Sequence, residues 1–142
     1  MVLSNWNSEA VLDRETGLVW QKQPTDQKHT WIVAFQVCFG ATTGGRKGWR
    51  LPSIHELQSL IDPDVFDENG DVVSLPLGHP FVGITAGLFE WYWTNTSIAS
   101  DPSFVYRVGM ASGMGIASSL KDSSALPRRI WCVRGGGPID AQ

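Results

Sequence analysis

Apolar positions recur along this chain in short runs with two different periods. Ala10-Val11-Leu12-Asp13 and Leu18-Val19-Trp20-Gln21-Lys22 are strand-like and flank Arg14-Glu15-Thr16-Gly17, so turn chemistry and β-formers together predict a hairpin. From Trp31 to about Phe39 the period lengthens to that of a helix. Trp31, Ala34, Phe35 and Cys38 fall on one face, Thr30 stands at the N-cap position, and Gly40 or the Gly44-Gly45 pair ends the run. Cys38 is therefore expected to point inward. A second helix is expected over about 53–61. There Ser53 can accept from the amide three residues on, Glu56 can reach back to the Ser53 amide, and Ile54, Leu57, Leu60 and Ile61 share a face. Pro52 brings the chain into that cap from an extended conformation.

Past this helix, Asp62 to Gly83 is rich in Asp, Pro and Gly and reads as a long irregular segment, which in a compact domain has a role or packs on itself. Trp91–Ser97, Ser103–Ala111, Met114–Ser119 and Arg129–Arg134 then read as strands, with Ser112-Gly113 as a turn between the middle two. The order is a hairpin, two helices, a long loop and a closing antiparallel sheet. This predicts an α+β fold, two helices packed on an antiparallel sheet, in one domain over 1–142 with its core at about 10–136. No internal repeat or low-complexity tract interrupts it.

Composition changes this picture in two ways. Seven tryptophans among 142 residues mean either a densely packed interior or an aromatic binding surface, because each indole buries a large area yet needs a partner for its N–H. Fifteen glycines and eight prolines mean many tight turns. The net charge of −3 argues against nucleic acid as a partner, and the Arg46-Lys47 and Arg128-Arg129 pairs are too small to reverse that. No apolar run approaches the roughly 20 residues of a membrane span, so membrane insertion is not expected. Residues 1–30 lack the basic and apolar regions of a signal peptide. An exported protein with this sequence is thus expected to have lost its signal or to travel by another route.

Six short marks occur in order: Thr16-Gly17-Leu18-Val19-Trp20-Gln21, Gly48-Trp49-Arg50-Leu51-Pro52, Glu56-Leu57, Leu77-Gly78-His79-Pro80-Phe81, Tyr92-Trp93-Thr94-Asn95-Thr96 and Cys132-Val133-Arg134-Gly135-Gly136. Together they resemble the family named for the C-terminal domain of the Lcl collagen-like adhesin, from about Val11 to Gly136. The resemblance implies a fold related to C-type lectins and formylglycine-generating enzymes, with Arg50-Leu51-Pro52 as the shared entry to the capped helix. It also implies an extracytoplasmic module that binds glycans or cell-surface ligands, in some cases as a homotrimer. The naming adhesin is expected to use basic residues on polyanionic glycans, whereas this chain is acidic.

Cys38 and Cys132 are the only cysteines. They are either a bridge closing most of the domain or two buried reduced thiols, and the resemblance favours the bridge, since lectin-like folds tie these elements together. Asp67, Asn69 and Asp71 invite a calcium reading, because hard cations take oxygen ligands from such loops. The spacing does not match an EF-hand, and a solvated acidic loop with an Asn-Gly turn is the plainer account, so no cofactor is assigned. His29, His55 and His79 are too scattered for zinc. Arg50 and Arg134, beside glycines, read as structural donors.

Around Glu90–Thr96 aromatic and polar residues alternate at strand period, placing Trp91, Trp93 and Asn95 on one face. Rings beside amides suit a sugar, although Trp93 is better explained as core. The expected ligand surface uses Trp91 for a ring face, Asn95 for a donor–acceptor pair, Tyr106 for a ring with a hydroxyl, and Arg107 for a fork on a carboxylate or sulfate. Adjacent on one strand, Tyr106 and Arg107 must point to opposite faces, so at most one joins Trp91. No convergent nucleophile or acid–base set is visible, and the chain reads as a binding module, not an enzyme. The alternative on the same scaffold is a variable receptor-binding protein of a diversity-generating retroelement or phage, with 91–119 as its diversified surface. A formylglycine-generating-like enzyme is a second alternative, but Cys38 and Cys132 do not suggest the cysteine pair it requires.

Overall fold

In the computed structural model the described residues are 1–25, 27–62, 64, 75–76, 78–84, 91–110, 116–121 and 128–135. The first hairpin forms as its pattern predicts. Strand β1 (Ala10–Leu12) pairs antiparallel with β2 (Val19–Gln21), Val11 opposite Trp20. Its turn is held by the Asp13 carboxylate, which accepts from the Glu15 amide at 3.0 Å and the Thr16 hydroxyl at 2.8 Å.

Helix α1 spans Trp31–Phe39 and is closed by Gly40. Its buried positions are Ala34 and Cys38, one turn apart. Two details differ from the sequence pattern. Thr30 occupies the N-cap but its hydroxyl bonds no helix amide, and Phe35, expected inward, is 40 % exposed, on the flank of the stripe and stacked edge-on against Trp31. Helix α2 (Ile54–Gln58) is shorter than the expected 53–61, its apolar face continuing through turns that bury Leu60. The capping box is complete: Ser53 Oγ accepts from the Glu56 amide at 3.1 Å and Glu56 Oε1 accepts from the Ser53 amide at 2.8 Å.

Strands β3 (Trp91–Ile98), β4 (Asp101–Gly109) and β5 (Ile116–Leu120) form an antiparallel meander in that order. The Ser112-Gly113 turn expected between the last two lies outside the described residues. The single closing sheet of the sequence reading is corrected here. The last strand, β6 (Val133–Arg134), does not join the meander but pairs with β2, giving a separate β1-β2-β6 sheet. The architecture is therefore α+β with two three-stranded antiparallel sheets.

The segment before β6 stitches the two sheets together. Arg129 exchanges backbone bonds with β3, donating to Trp91 O and accepting from Trp93 N, while Val133 exchanges a pair with Arg50 at 2.9 Å each. Between them Trp131 donates its indole N–H to Gln21 O at 2.8 Å, and Cys132 is bridged to Cys38 of α1 with the Cα atoms 5.5 Å apart. The segment is extended, as its composition predicts, but its partners alternate between sheets and neither ladder is long.

The tryptophans are mostly interior. Trp20, Trp93 and Trp131 are fully buried, and Trp49 is 2 % exposed. Trp31, Trp49, Trp93 and Trp131 each donate an indole N–H to a backbone carbonyl, which offsets the cost of burying a donor. Trp20, Phe81 and Tyr92 surround Trp131 at centroid distances of 5.4, 4.8 and 5.7 Å. Trp6, Trp49 and Trp93 belong to a second cluster around the disulfide.

Candidate functional site

The first residues of β3 set up one face of the meander. Trp93 stands opposite Arg107 of β4, and Trp91 stands opposite Gly109. Gly109 has no side chain, so the space over the Trp91 indole is filled by its diagonal neighbour, within reach for a long side chain. The Arg107 guanidinium lies 4.1 Å from the ring centroid. Both residues are half-buried, whereas Trp93 is fully buried beneath the same face.

Arg107 differs from the other arginines that sit on rings. Arg46 and Arg134 lie over Trp6, and Arg129 lies over Tyr92. Each also donates to a backbone carbonyl: Arg46 to Gly44 O at 2.9 Å, Arg134 to Lys47 O at 2.8 Å, and Arg129 to Gly83 O at 3.1 Å. Those three fasten loops to the core. Arg107 makes no such bond among the described residues, and its Nε is buried without a hydrogen-bond partner there. Burial lowers the pKa of Arg107, and that of Arg128 is lowered by burial and then by the charge of Arg107. Two cations thus share this neighbourhood. A partly desolvated guanidinium held by a ring alone keeps its donor fork for an anion or a hydroxyl.

The other two expected site residues lie elsewhere. A register shift lies between Trp93 and Ser97, the stretch of β3 that contains Asn95. Asn95 is half-buried and engaged: its amide nitrogen donates to Leu51 O at 3.1 Å and its backbone N–H to Pro52 O at 2.8 Å. With Thr96, whose hydroxyl accepts from the Ile54 amide at 2.9 Å, it braces the start of α2. Tyr106 points to the opposite face from Arg107 and packs on the cluster around Trp131. The structure therefore joins Trp91 and Arg107, and leaves Asn95 and Tyr106 apart from them.

Arg128 is the residue that sequence reasoning missed at this face. Its one signal was the Arg128-Arg129 pair, whose members have different tasks: Arg129 is 6 % exposed and bonded to Thr25 O and Gly83 O, while Arg128 is half-buried beside Arg107. The calcium candidates Asp67, Asn69 and Asp71 lie outside the described residues. Among the described residues no three His, Cys, Asp or Glu side chains cluster as metal ligands. Nor is any described helix long and apolar enough to cross a membrane.

Fold and surface together define a disulfide-stapled α+β domain in which, among the described residues, the Arg107 guanidinium on Trp91 donates to no carbonyl. The chain belongs to the Lcl C-terminal domain family, whose model matches residues 9–134. It is accordingly an adhesin-like module. No curated protein and no solved structure matches it significantly.

Proposed function

We propose that this domain is an extracytoplasmic ligand-binding or adhesion module and that Trp91 and Arg107 form the centre of its binding face. The observation that carries the reading is the Arg107 guanidinium, stacked 4.1 Å from the Trp91 ring with no hydrogen-bond partner for its buried Nε among the described residues. Its ligand is a glycan bearing a carboxylate or sulfate: the indole takes a sugar C–H face, and the guanidinium takes the anion through paired N–H bonds. Arg128 adds a second positive charge. On a chain of net charge −3 this attraction is local, so binding is short-ranged and weakens with salt.

The Cys38–Cys132 bridge supports placement in an oxidising compartment. No cofactor and no catalytic step are assigned. A shallow face of this kind binds weakly per site, and a homotrimer would raise its strength through avidity.

A glycan array probed with the domain, with calcium and with chelator, tests this. The expected result is calcium-independent binding to carboxylated or sulfated glycans, reduced about tenfold by Arg107→Gln at unchanged melting temperature, as for loss of one charge-assisted contact. Trp91→Ala is expected to weaken the same glycans. Unaltered binding by both variants, or binding confined to neutral glycans, would overturn the proposal.

A further inference from the structure

Helix α1 carries two apolar stripes, and the chain buries only one of them. No residue from Trp31 to Phe39 is charged. Ala34 and Cys38 face the core. Across the helix, Ile32, Phe35, Gln36 and Phe39 fall within an arc of about 100°. There Ile32, Phe35 and Phe39 are 54, 40 and 85 % exposed. A helix that is hydrophobic all round is ordinarily covered on every side. This one cannot roll to bury its outer stripe, because it is fixed at both ends. Cys38 is bridged to Cys132, and the Trp31 indole donates to Thr94 O at 2.9 Å.

The outer stripe is its own complement. Ile32 and Phe39 lie two turns apart, and the midpoint between them falls between Phe35 and Gln36. A twofold axis at that midpoint, relating two antiparallel copies of α1, sets Ile32 of each copy against Phe39 of the other. Gln36, with a donor and an acceptor on one amide, then stands beside the axis and can bond its own copy. Charge agrees with this pairing. In a chain of net charge −3 like copies repel, yet this face brings no charge to the contact. Lys121, at its Trp31 edge, is engaged by that ring at 4.8 Å and by Ser97 Oγ at 2.6 Å. A lipid surface would call for basic residues flanking the stripe, and α1 supplies none. At about 200 Å² for a fully exposed phenylalanine, the three apolar residues leave roughly 350 Å² outside, the size of a functional patch. Two copies would remove about 700 Å² of it, or about 1,100 Å² in an interface two-thirds apolar, which is the lower limit for a specific complex. We propose that the outer face of α1 is a contact between two copies of this chain, forming a reversible antiparallel dimer. This inference does not depend on the reading of Arg107.

Sedimentation equilibrium of the whole domain over about 1–500 µM tests it, with an expected dimer Kd of about 10–100 µM. Phe39→Lys and Ile32→Glu should each weaken the dimer at least about tenfold, with melting temperatures in dilute solution unchanged. Mixing the two variants should restore association to within about threefold of wild type. In that pair the introduced ammonium and carboxylate meet at one end, while Ile32 meets Phe39 at the other. Arg107→Gln should leave the dimer unchanged, which separates this contact from the glycan face. A wild-type chain monomeric at about 500 µM, well above the expected Kd, would overturn the proposal. So would an oligomer, trimer included, that Phe39→Lys does not weaken, or variants that fail to associate on mixing. A monomer that instead binds phosphatidylcholine vesicles would overturn it in favour of a lipid surface.

Discussion

Replacing Glu56 should reveal how the Arg50-Leu51-Pro52 entry is held. Its Oε1 accepts from Arg50 Nη1 at 2.7 Å and from the Ser53 amide at 2.8 Å, and its Oε2 accepts from Arg50 Nη2 at 2.7 Å. The same Arg50 donates to Leu51 O and, at 2.7 Å, to Gly135 O, so one carboxylate couples the α2 cap to the C-terminal segment. Glu56→Ala removes the returning arm of the capping box, about 1 kcal/mol. It also removes a bidentate ion pair whose arginine side chain is 37 % exposed; solvent screening reduces that pair to about 1 kcal/mol. The sum is about 2 kcal/mol, or a melting temperature lower by about 8 °C for a chain of this size. Glu56→Gln keeps an acceptor for Ser53 and should cost about half as much. Ser53→Ala, which removes the forward arm alone, should cost about 1 kcal/mol.

pH supplies the sharper check on the same residue. Burial raises the Glu56 pKa, but the hydrogen bonds from Arg50 and Ser53 and the charge of Arg50 outweigh it, leaving the value below the ordinary 4.5. A carboxylate depressed in the folded state contributes stability that is fully present above its unfolded value and is lost as pH falls through the folded one. The gap between wild type and Glu56→Gln in urea unfolding should therefore be constant from pH 7 to about pH 5 and close below about pH 4. A gap as wide at pH 3 as at pH 7, or Glu56→Ala within 0.3 kcal/mol of wild type (well under the roughly 2 kcal/mol expected), would refute the assignment.

Two further perturbations test the packing. Removing the Cys38–Cys132 bridge by a double alanine substitution opens a loop of 94 residues' separation and should cost about 4–5 kcal/mol by the chain-entropy account, read as a lower urea midpoint; an unshifted midpoint would show that the bridge adds nothing. Gly44→Ala places a Cβ 2.9 Å from Trp6 Cβ at a φ of +66°, and should cost about 2–3 kcal/mol, whereas Gly45→Ala, at +71° with open space, should cost only about 1. Equal losses at the two glycines would mean that Trp6 gives way freely.

The parts of this fold that were legible in the sequence are those whose cause is local. The β1–β2 hairpin follows from its own turn, α1 from Trp31 to Phe39 from one face and a terminal glycine, and the capping box from Ser53 and Glu56 alone. The Arg129–Arg134 segment was legible as extended but not in its pairing, because its partners are Trp91, Trp93, Arg50 and β2, none of them its neighbours in the chain. A pattern of alternation names two faces of a strand; it does not say which sheet the strand will enter.

The proposed binding face shows the same limit at the scale of single side chains. Alternation correctly divides Tyr106 from Arg107, yet it also carries Asn95 onto the face of Trp91, whereas in the structure Asn95 lies in the stretch of β3 with a register shift and donates to Leu51 instead. Nothing in the residues around Arg107 distinguishes it from Arg46 or Arg134, which also sit on tryptophan rings. The difference lies in what each guanidinium finds. Arg46 and Arg134 reach carbonyls of turns built around Gly44 and Lys47, and are consumed by holding those turns. Arg107 projects from the middle of a ladder in which neighbouring carbonyls are already paired between strands, so among the described residues its guanidinium meets the Trp91 ring and no carbonyl. A cation on a sheet face keeps its donors because the paired strands around it have few acceptors left to offer, and that is the physical reason for placing the proposed anion contact at Arg107 and not at Arg46 or Arg134.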